Sequence, residues 1–454
     1  MRTGINLLVL LCCAATACAR EEIRRDFQKT VALPAGRGLR VVHSLGSVNV
    51  RTQAKGEVSV QAEIRCSADR AEDARDYCNR VQIRMEETGT GVVVRTEYPK
   101  VPVFGGHRNT SVSIRLDLIM PDSAPLELRN QFGAVTVQDL HAPGIISNSN
   151  GRVSFLNGRG RQRIDNAFGD VEVRTNNGAV TVVNSNGAVT ATDVAGTLDL
   201  SNRFGDTRIS DAGAGVTVRS ANGRVEVDRV TGTTQISDSF GDVRIAGAKS
   251  DVTVQNQNGK VEATDVAGTA DLRTSFGAVK FSRVAKDVTA RGQNSSITGD
   301  TVSGSVTAET SFGGVDVRGV KGYAHVTAGN AAIRLSEIGG EVYAKTSFDG
   351  VTVDSAGGPI TVENANGSVT ATTRPGACKP VSLRTSFGPI RATVPSAAGY
   401  NVGAKTSFGR IHSEFDLTLS GDISTDEING KIGPGGCDLR LVNQNGNIDI
   451  LKGR

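Results

Sequence analysis

The chain has 454 residues, of which 54 are glycine, none is tryptophan and 4% are aromatic. Such a composition, with few long apolar runs, excludes a membrane-spanning bundle and a large helical core. The formal net charge of +4 is small for this length, and because basic and acidic residues are interspersed, we expect no nucleic-acid partner.

Residues 1–19 have the pattern of an export signal, with Arg2, an apolar run over residues 5–11 and small residues over 14–19. We therefore expect a mature chain without a transmembrane span in the bacterial periplasm, outer membrane or cell surface. The segment Ala-Thr-Ala-Cys at residues 15–18 resembles a lipobox that would make Cys18 a lipidated anchor to the membrane, although Ala15 replaces the usual Leu. Ordinary signal peptidase cleavage fits the same small residues, and both alternatives stay open.

Residues 20–129 are less regular and are predicted to form a β cap on the N-terminal end of the molecule. Strand-like alternation is interrupted by one helix, near residues 67–79, which Ser67 is expected to cap. Cys66 and Cys78 flank that helix and are expected to form a disulfide in an oxidising compartment, with two unpaired thiols as the alternative. A cap is expected because an open β-stack exposes an edge that is prone to aggregation.

A period of 18 residues governs residues 130–386. Phe and Asn alternate at one position, which we call the corner, and the pattern runs fourteen times without insertion or deletion: Phe132, Asn150, Phe168, Asn186, Phe204, Asn222, Phe240, Asn258, Phe276, Asn294, Phe312, Asn330, Phe348 and Asn366. A fixed period this short indicates a solenoid. The predicted fold is therefore all-β, an elongated single-chain β-solenoid that resembles a parallel β-helix, with 18-residue rungs and an N-terminal β cap containing one short helix.

Each rung is predicted to contain two half-buried strands, with apolar residues third, fifth, eighth, twelfth and fourteenth after the corner. Gly follows the corner in eleven of the fourteen rungs, with Ser295, Ala331 and Asp349 as the exceptions, which indicates a tight turn with positive φ. We expect the corner Phe side chains to fill the corner rather than line a groove. Asn two residues before many corners predicts a hydrogen-bonded side-chain ladder.

Residues 387–454 are predicted to form irregular C-terminal rungs and a cap, because the spacing changes after Asn366. The period stretches to 21 through Phe387, Phe408 and Asn429 and shortens to 16 at Asn445. On that reading three rungs separate Cys378 from Cys437. The distance of roughly 14 Å, at about 4.8 Å per rung, is too long for a disulfide unless the cap folds back.

No pattern of titratable residues indicates a metal or cofactor site. The five histidines share no rung position with a second type of ligand: His43, His107, His141, His325 and His412. We therefore expect no metal ion, no cofactor and no histidine-based catalysis.

Three acids provide the strongest candidate for catalysis, because β-helical polysaccharide lyases and hydrolases place acids on adjacent rungs. Asp170, Asp206 and Asp242 share one outward position. Arg224 and Lys260 hold that position on intervening rungs, which favours a ladder of alternating charge over an active site. The prediction is that no residue is catalytic and that the protein is not an enzyme.

The repeated Gly-x-Val-x-Val units behind a signal peptide, the strand Leu-Asp-Leu-Ile-Met-Pro at residues 116–121 and the ending Leu-Arg-Leu-Val-Asn-Gln-Asn-Gly-Asn-Ile-Asp-Ile at residues 439–450 are distinctive. Over residues 31–451 the chain resembles the bacterial "putative adhesin" family, a domain of unknown function. The resemblance implies the solenoid fold and supplies no catalytic residues.

These features predict a non-catalytic exported envelope protein that acts as an adhesin or as a structural or binding scaffold. Its partner is expected to be a protein or a glycan of the envelope or the extracellular space. The alternative functions are a sensor or regulator of envelope stress and a carbohydrate-active β-helix enzyme.

Overall fold

The structure, a computed structural model, describes residues 21–99, 110–420 and 426–453. It is an all-β solenoid with one short helix, as the 18-residue period predicts. The N-terminal elements are β1 (Glu21–Ala32), β2 (Gly38–Val42), β3 (Val48–Gln53), β4 (Glu57–Ala68), α1 (Ala71–Arg80), β5 (Gln82–Thr88), β6 (Gly91–Glu97) and β7 (Ser111–Pro121).

The regular rungs each contribute a strand that ends at the corner and a strand that begins after it. Strands that end at the corner form the first sheet: β8 (Leu126–Phe132), β10 (Gly144–Asn150), β12 (Gln162–Phe168), β14 (Val180–Asn186), β16 (Leu198–Phe204), β18 (Val216–Asn222), β20 (Thr234–Phe240), β22 (Val252–Asn258), β26 (Val306–Phe312), β28 (Ala324–Asn330), β30 (Val342–Phe348) and β32 (Ile360–Asn366).

Strands that follow the corner form the second sheet: β9 (Val135–Gln138), β11 (Val153–Arg159), β13 (Val171–Asn177), β15 (Val189–Val194), β17 (Thr207–Ala212), β19 (Val225–Val230), β21 (Val243–Ala248), β23 (Val261–Val266), β27 (Val315–Val320), β29 (Ile333–Ile338), β31 (Val351–Ala356) and β33 (Val369–Thr373). Two strands, β24 (Ala270–Val284) and β25 (Val288–Val302), pass through the corner and belong to both sheets.

The C-terminal strands are β34 (Val381–Phe387), β35 (Ile390–Pro395), β36 (Tyr400–Lys405), β37 (Ile411–Ser413), β38 (Leu417–Leu419), β39 (Glu427–Ile432), β40 (Cys437–Asn445) and β41 (Ile448–Gly453).

Neighbouring rungs pair in parallel and in register at a shift of 18 residues. Phe168, for example, lies between Asn150 and Asn186. Identical positions therefore lie above one another along the whole stack, about 4.8 Å apart.

The core consists of the five predicted apolar positions of each rung. In the rung after Asn186 they are Val189, Ala191, Val194, Leu198 and Leu200, and each exposes 1% or less of its surface. Small and β-branched side chains suit this space, because each packs against its equivalents on the rungs above and below.

A left-handed residue explains why the third apolar position falls three residues after the second instead of two. The seventh residue after the corner has φ between 52° and 69° on thirteen successive rungs: Asp139, Asn157, Thr175, Asp193, Asp211, Arg229, Gly247, Asp265, Arg283, Thr301, Gly319, Glu337 and Ser355. This kink turns the following residue back into the core. Seven of the thirteen residues are Asp, Asn or Gly, which tolerate a left-handed backbone, but the other six belong to types that do not mark it. The kink was therefore not predicted.

The predicted turn glycines are needed both for their backbone angles and for space. Gly205 has φ of 121°, and a Cβ atom there would lie 2.4 Å from the carbonyl oxygen of Gly187 on the preceding rung. At Ser295 the φ is not positive, and a Cβ added at Gly292 would lie 2.4 Å from the Ser295 Cβ. Ser295 thus fills inner space that an asparagine side chain occupies on other rungs.

The N-terminal cap begins with a rung that is trapped between two others. The β2–β3 rung pairs with β8 and β9 on one side and with β6 and β7 on the other. Strands β1, β4 and β5 complete the end with antiparallel pairs, so that parallel rungs do not end on an open edge.

The helix begins at Ala71 rather than near Ser67, and the prediction that Ser67 caps it is wrong. Ser67 lies in β4, where its backbone is paired with β1 and β7, and the residue at the N-terminal cap is Arg70. The sheet pairing uses the backbone that a capping Ser would need. A disulfide joins Cys66 to Cys78 with their Cα atoms 5.7 Å apart, which holds the helix on β4.

The C-terminal end folds back on itself. Strand β40 pairs with both β34 and β36, so the last segment of the chain occupies a rung between two earlier ones. Cys378 and Cys437 consequently form a disulfide, with Cα atoms 5.8 Å apart, and the separation of three rungs inferred from the spacing is wrong. Asn429 is not a corner either, because β39 runs antiparallel to β36.

Candidate functional site

The three acids singled out in the sequence act on the backbone of neighbouring rungs. Asp170, Asp206 and Asp242 each accept a hydrogen bond from the N–H of the residue 18 positions later, at 3.0, 3.1 and 2.9 Å. That contact, together with Arg152, lowers the pKa of Asp170. The acids stand two rungs apart, roughly 10 Å along the stack, which is about twice the separation of the carboxyl pair at a retaining centre and near the upper limit for an inverting one.

Opposite charges do pair across the rungs of this surface. Arg152 meets Asp170 at 3.1 Å and Arg208 meets Glu226 at 3.3 Å, each pair 18 residues apart. Such exposed pairs contribute little stability individually, but they leave these acids with structural partners.

The predicted asparagine ladder is present inside the first sheet. Each of the first four asparagines donates from Nδ2 to the Oδ1 of the next, at 3.1 to 3.4 Å, in the order Asn130, Asn148, Asn166, Asn184 and Asn202. Their amides also donate to the glycine carbonyl groups of the corner, as Asn166 does to Gly169 at 2.9 Å. The ladder therefore satisfies buried backbone groups at the turn.

Asp238 interrupts this ladder with a buried carboxyl group. It exposes 3% of its surface, and neither carboxylate oxygen has a hydrogen-bond partner of ordinary geometry. Burial raises the pKa of Asp238, and the nearby Ser220 hydroxyl and Ser239 N–H only partly offset that effect. Its neighbour on the next rung, Asn256, keeps the amide bond to the corner, at 2.9 Å from the Gly241 oxygen.

A groove of about 720 Å³ follows the outer surface of the first sheet beside the corner, between the rungs of Phe240 and Asn330. Its lining includes Gln255, Gln257 and Gln293, whose side chains are exposed, and Arg291, which bonds Glu309 at 3.1 Å. Most of the remaining lining is Ser and Thr. The groove thus offers many neutral hydrogen-bonding groups on a rigid sheet.

An aromatic cluster lies on the same sheet close to the groove. The rings of Tyr323 and His325 have centroids 4.4 Å apart, and His325 lies 6.0 Å from Tyr343. His325 is two residues from Thr327, which lines the groove. Tyr323 is 41% exposed, so the cluster presents aromatic surface to the solvent.

The corner phenylalanines are exposed, and the prediction that they fill the corner is wrong. Each of the nine, including Phe387 and Phe408, exposes between 47% and 73% of its surface. The turn at the corner points the ring away from the core, while the Asn ladder occupies the space beneath it.

No group of three or more His, Cys, Asp or Glu residues that could hold a metal ion occurs in residues 21–99, 110–420 and 426–453. His43 is buried with its Nδ1 2.9 Å from the Thr96 hydroxyl, and burial lowers its pKa to about 4. His107 and Cys18 lie outside the described residues. The described residues contain no helix that could span a bilayer.

Residues 41–451 match the sequence profile of the family described as Toastrack DUF4097. The chain belongs to this Toastrack family. The resemblance drawn from the repeat is thereby confirmed.

Among solved structures, a "putative cell adhesion protein" from Clostridium sporogenes ATCC 15579 is similar to this Toastrack chain at 8% identity. The match covers 95% of this chain and 100% of that one, with a TM-score of 0.17. None of the functionally curated proteins matches this chain.

Sequence reasoning found the acids of this Toastrack chain but missed the groove, the aromatic cluster and the exposed corner rings. The sequence does mark the position of the corner rings, because Phe recurs there at a fixed spacing of 36 residues, but that spacing does not indicate that the rings are exposed. The groove and the cluster carry no such mark, because they are formed by ordinary polar and aromatic residues that only the stacking brings together.

Proposed function

We propose that this Toastrack protein is a non-catalytic, exported binding scaffold that uses the outer surface of its first sheet. The observation that carries the proposal is the groove of about 720 Å³, on a sheet whose register is fixed by its neighbours. Its lining is mostly neutral amides and hydroxyls, and its two arginines, Arg273 and Arg291, are each paired with an acid. Such a surface offers many oriented hydrogen-bonding groups at little entropic cost, which suits adhesion or scaffolding better than bond cleavage.

Export is supported by the signal-like residues 1–19 and by the disulfides Cys66–Cys78 and Cys378–Cys437. Structural disulfides persist in oxidising compartments such as the periplasm and the cell surface. Whether Cys18 carries a lipid is decided by metabolic labelling with a fatty acid, compared between wild type and Cys18→Ala. If the wild type is labelled and the variant is not, Cys18 is the lipid anchor. If the wild type is not labelled, the protein has no lipid anchor at Cys18.

The binding role is tested with the mature protein on a glycan array and with envelope fractions. A groove variant replaces Gln255, Gln257 and Gln293 with alanine, and a matched control replaces the outward Thr298 and Thr352 of the second sheet. We expect a ligand that the wild type and the control bind and the groove variant binds at least tenfold more weakly. Equal binding by all three proteins would contradict the proposed site.

The proposal that the protein is not catalytic is tested by a polysaccharide-cleavage screen. The screen compares the wild type with a triple variant that carries Asp170→Ala, Asp206→Ala and Asp242→Ala. We expect no cleavage by either protein. Cleavage by the wild type that the triple variant lacks would replace the binding role with an enzymatic one.

A further inference from the structure

An edge of exposed aromatic rings runs along the corner, next to the groove. In the second half of the molecule each ring belongs to the same Thr-Ser-Phe sequence, which ends at Phe276, Phe312, Phe348, Phe387 and Phe408. We call this stretch the Thr-Ser-Phe edge. The four earlier corner phenylalanines of the regular rungs lack this sequence, since other residue pairs precede them.

The threonine of each unit holds the corner in place. The Thr310 hydroxyl lies 2.9 Å from the oxygen of Ser295 and 3.2 Å from that of Phe312, and Thr346 makes the equivalent pair of contacts. The serine is exposed at Ser311, Ser347 and Ser407 and half-buried at Ser275 and Ser386. Each unit thus presents one ring and one hydroxyl in the same geometry, two rungs or roughly 10 Å from the next unit.

The alternation of Phe and Asn at the corner continues in the C-terminal fold-back, where neighbouring rungs do not follow one another in the sequence. Asn445 lies between Phe387 and Phe408, although Phe408 precedes it in the sequence by 37 residues. A mere duplication of a 36-residue unit would not place an asparagine there after the fold-back. The alternation of ring and asparagine is therefore a property of the stack in space as well as of the order of the chain.

Charge distinguishes the Thr-Ser-Phe edge from the rest of the corner. The edge contains nine corners, because Asn294, Asn330, Asn366 and Asn445 alternate with its five phenylalanines. Within two residues of these nine corners only Asp349 and Arg410 are charged. Eight charged residues flank the seven corners from Asn150 to Asn258. The Asp349 carboxylate accepts the N–H of Gly350 at 2.7 Å. Basic residues do stand three residues before several of these corners, but Arg273, Arg291 and Lys345 are each paired with an acid. The edge therefore carries little net charge, which suits an uncharged ligand better than the basic surface that binds a membrane does.

We propose that the Thr-Ser-Phe edge binds an extended, uncharged β-1,4-linked glycan, an inference that rests on the proposed binding function and names its ligand class. In such a glycan successive sugars are rotated by half a turn, so the chain repeats after two rings, a length that matches the spacing of roughly 10 Å between phenylalanines. The apolar face of every second sugar stacks on a ring. The intervening Asn and the serine hydroxyls supply polar contacts to the sugar hydroxyl groups.

Calorimetry with β-1,4-linked hexamers of glucose and of N-acetylglucosamine tests the inference, with an α-1,4-linked glucose hexamer as the geometric control. The edge variant is Phe312→Asn with Phe348→Asn, and the matched control is Phe168→Asn with Phe204→Asn. Asparagine already occupies alternate corners, so both variants are expected to fold, which thermal unfolding verifies. We expect a β-1,4-linked hexamer to bind the wild type and the control, and to bind the edge variant about tenfold more weakly per ring removed.

The inference is overturned if neither β-1,4-linked hexamer binds, if the α-1,4-linked hexamer binds as well, or if both double variants lose affinity equally. Phosphatidylcholine–phosphatidylglycerol vesicles and sedimentation at several concentrations extend the comparison. If the edge variant alone loses vesicle binding, the edge binds a lipid surface. If it alone loses self-association, the edge binds a second copy of the chain. Either result contradicts the glycan assignment. If the array finds a ligand that the groove variant loses and the edge variant retains, the proposed function stands and this inference fails.

Discussion

At the scale of single residues, the buried ladder beneath the corner shows how a solenoid satisfies its backbone. An asparagine amide both donates and accepts, so one residue per rung can bond its neighbours and the turn carbonyl groups. An ionised carboxylate accepts only, so Asp238 cannot donate to the carbonyl groups around it. Its burial at 3% exposure therefore carries an unfavourable free energy at neutral pH.

We expect Asp238→Asn to stabilise the protein at pH 7 by roughly 1–3 kcal/mol, because the amide restores the missing donor. The folded-state pKa of Asp238 is raised above its ordinary value of 3.8. Stability from this residue is thus fully present below pH 3.8 and is lost as the pH rises through the raised pKa. Urea denaturation from pH 3 to 7 should show the gap between variant and wild type widening with pH, and Asn184→Asp should produce the opposite change. Parallel pH profiles would contradict the argument.

At the scale of the strand, the left-handed residue in the second sheet defines the shape of the rung. It converts a spacing of two residues into three, and the strands keep their register on both sides of it although the residue itself is not paired. Asp, Asn and Gly tolerate this conformation, whereas a β-branched residue is strained there. Thr301, with φ of 55°, is such a residue.

We expect Thr301→Asn to raise the free energy of unfolding by about 1 kcal/mol, since it relieves left-handed strain at a β-branched residue. The matched control is Thr298→Asn, an exposed position on the same strand with an ordinary strand conformation, where the change should give no gain. Chemical denaturation of the three proteins measures both effects. A gain at residue 298 equal to that at residue 301 would show that the left-handed backbone is not the cause.

At the scale of the whole molecule, both ends of the solenoid are closed by the same arrangement of rungs. One rung lies between two others that are not its neighbours in the chain, at β2–β3 and at β40–β41. Each end also carries a disulfide, Cys66–Cys78 or Cys378–Cys437. In a stack whose stability depends on nearest neighbours, the ends are where unfolding begins.

Removal of the Cys378–Cys437 disulfide by serine substitution should therefore loosen the C-terminal end. The loop of 59 residues corresponds to as much as about 4 kcal/mol in the chain-entropy account. Hydrogen exchange should lose protection in β36 and β40 while β14 keeps it. The Cys66→Ser, Cys78→Ser variant should loosen only the N-terminal end, and a uniform loss of protection in both variants would contradict this picture.

The sequence by itself determined the all-β solenoid, its 18-residue rung, its five core positions and its turn glycines. This was possible because every rung meets the same neighbours, so each local environment repeats and leaves a periodic mark in the residues. It also gave the internal asparagine ladder.

Only the tertiary structure decided the rest. The left-handed kink occurs at many residue types, and the exposure of the phenylalanines depends on how the corner turns. Ser67 does not cap the helix, because its backbone is paired within the sheet. The fold-back brings Cys437 beside Cys378 through pairing between distant segments, which no local spacing encodes. The groove, the Tyr323–His325–Tyr343 cluster and the Thr-Ser-Phe edge join side chains from separate rungs. Such surfaces exist only once the stacking register is fixed, because each rung contributes just one or two of their groups.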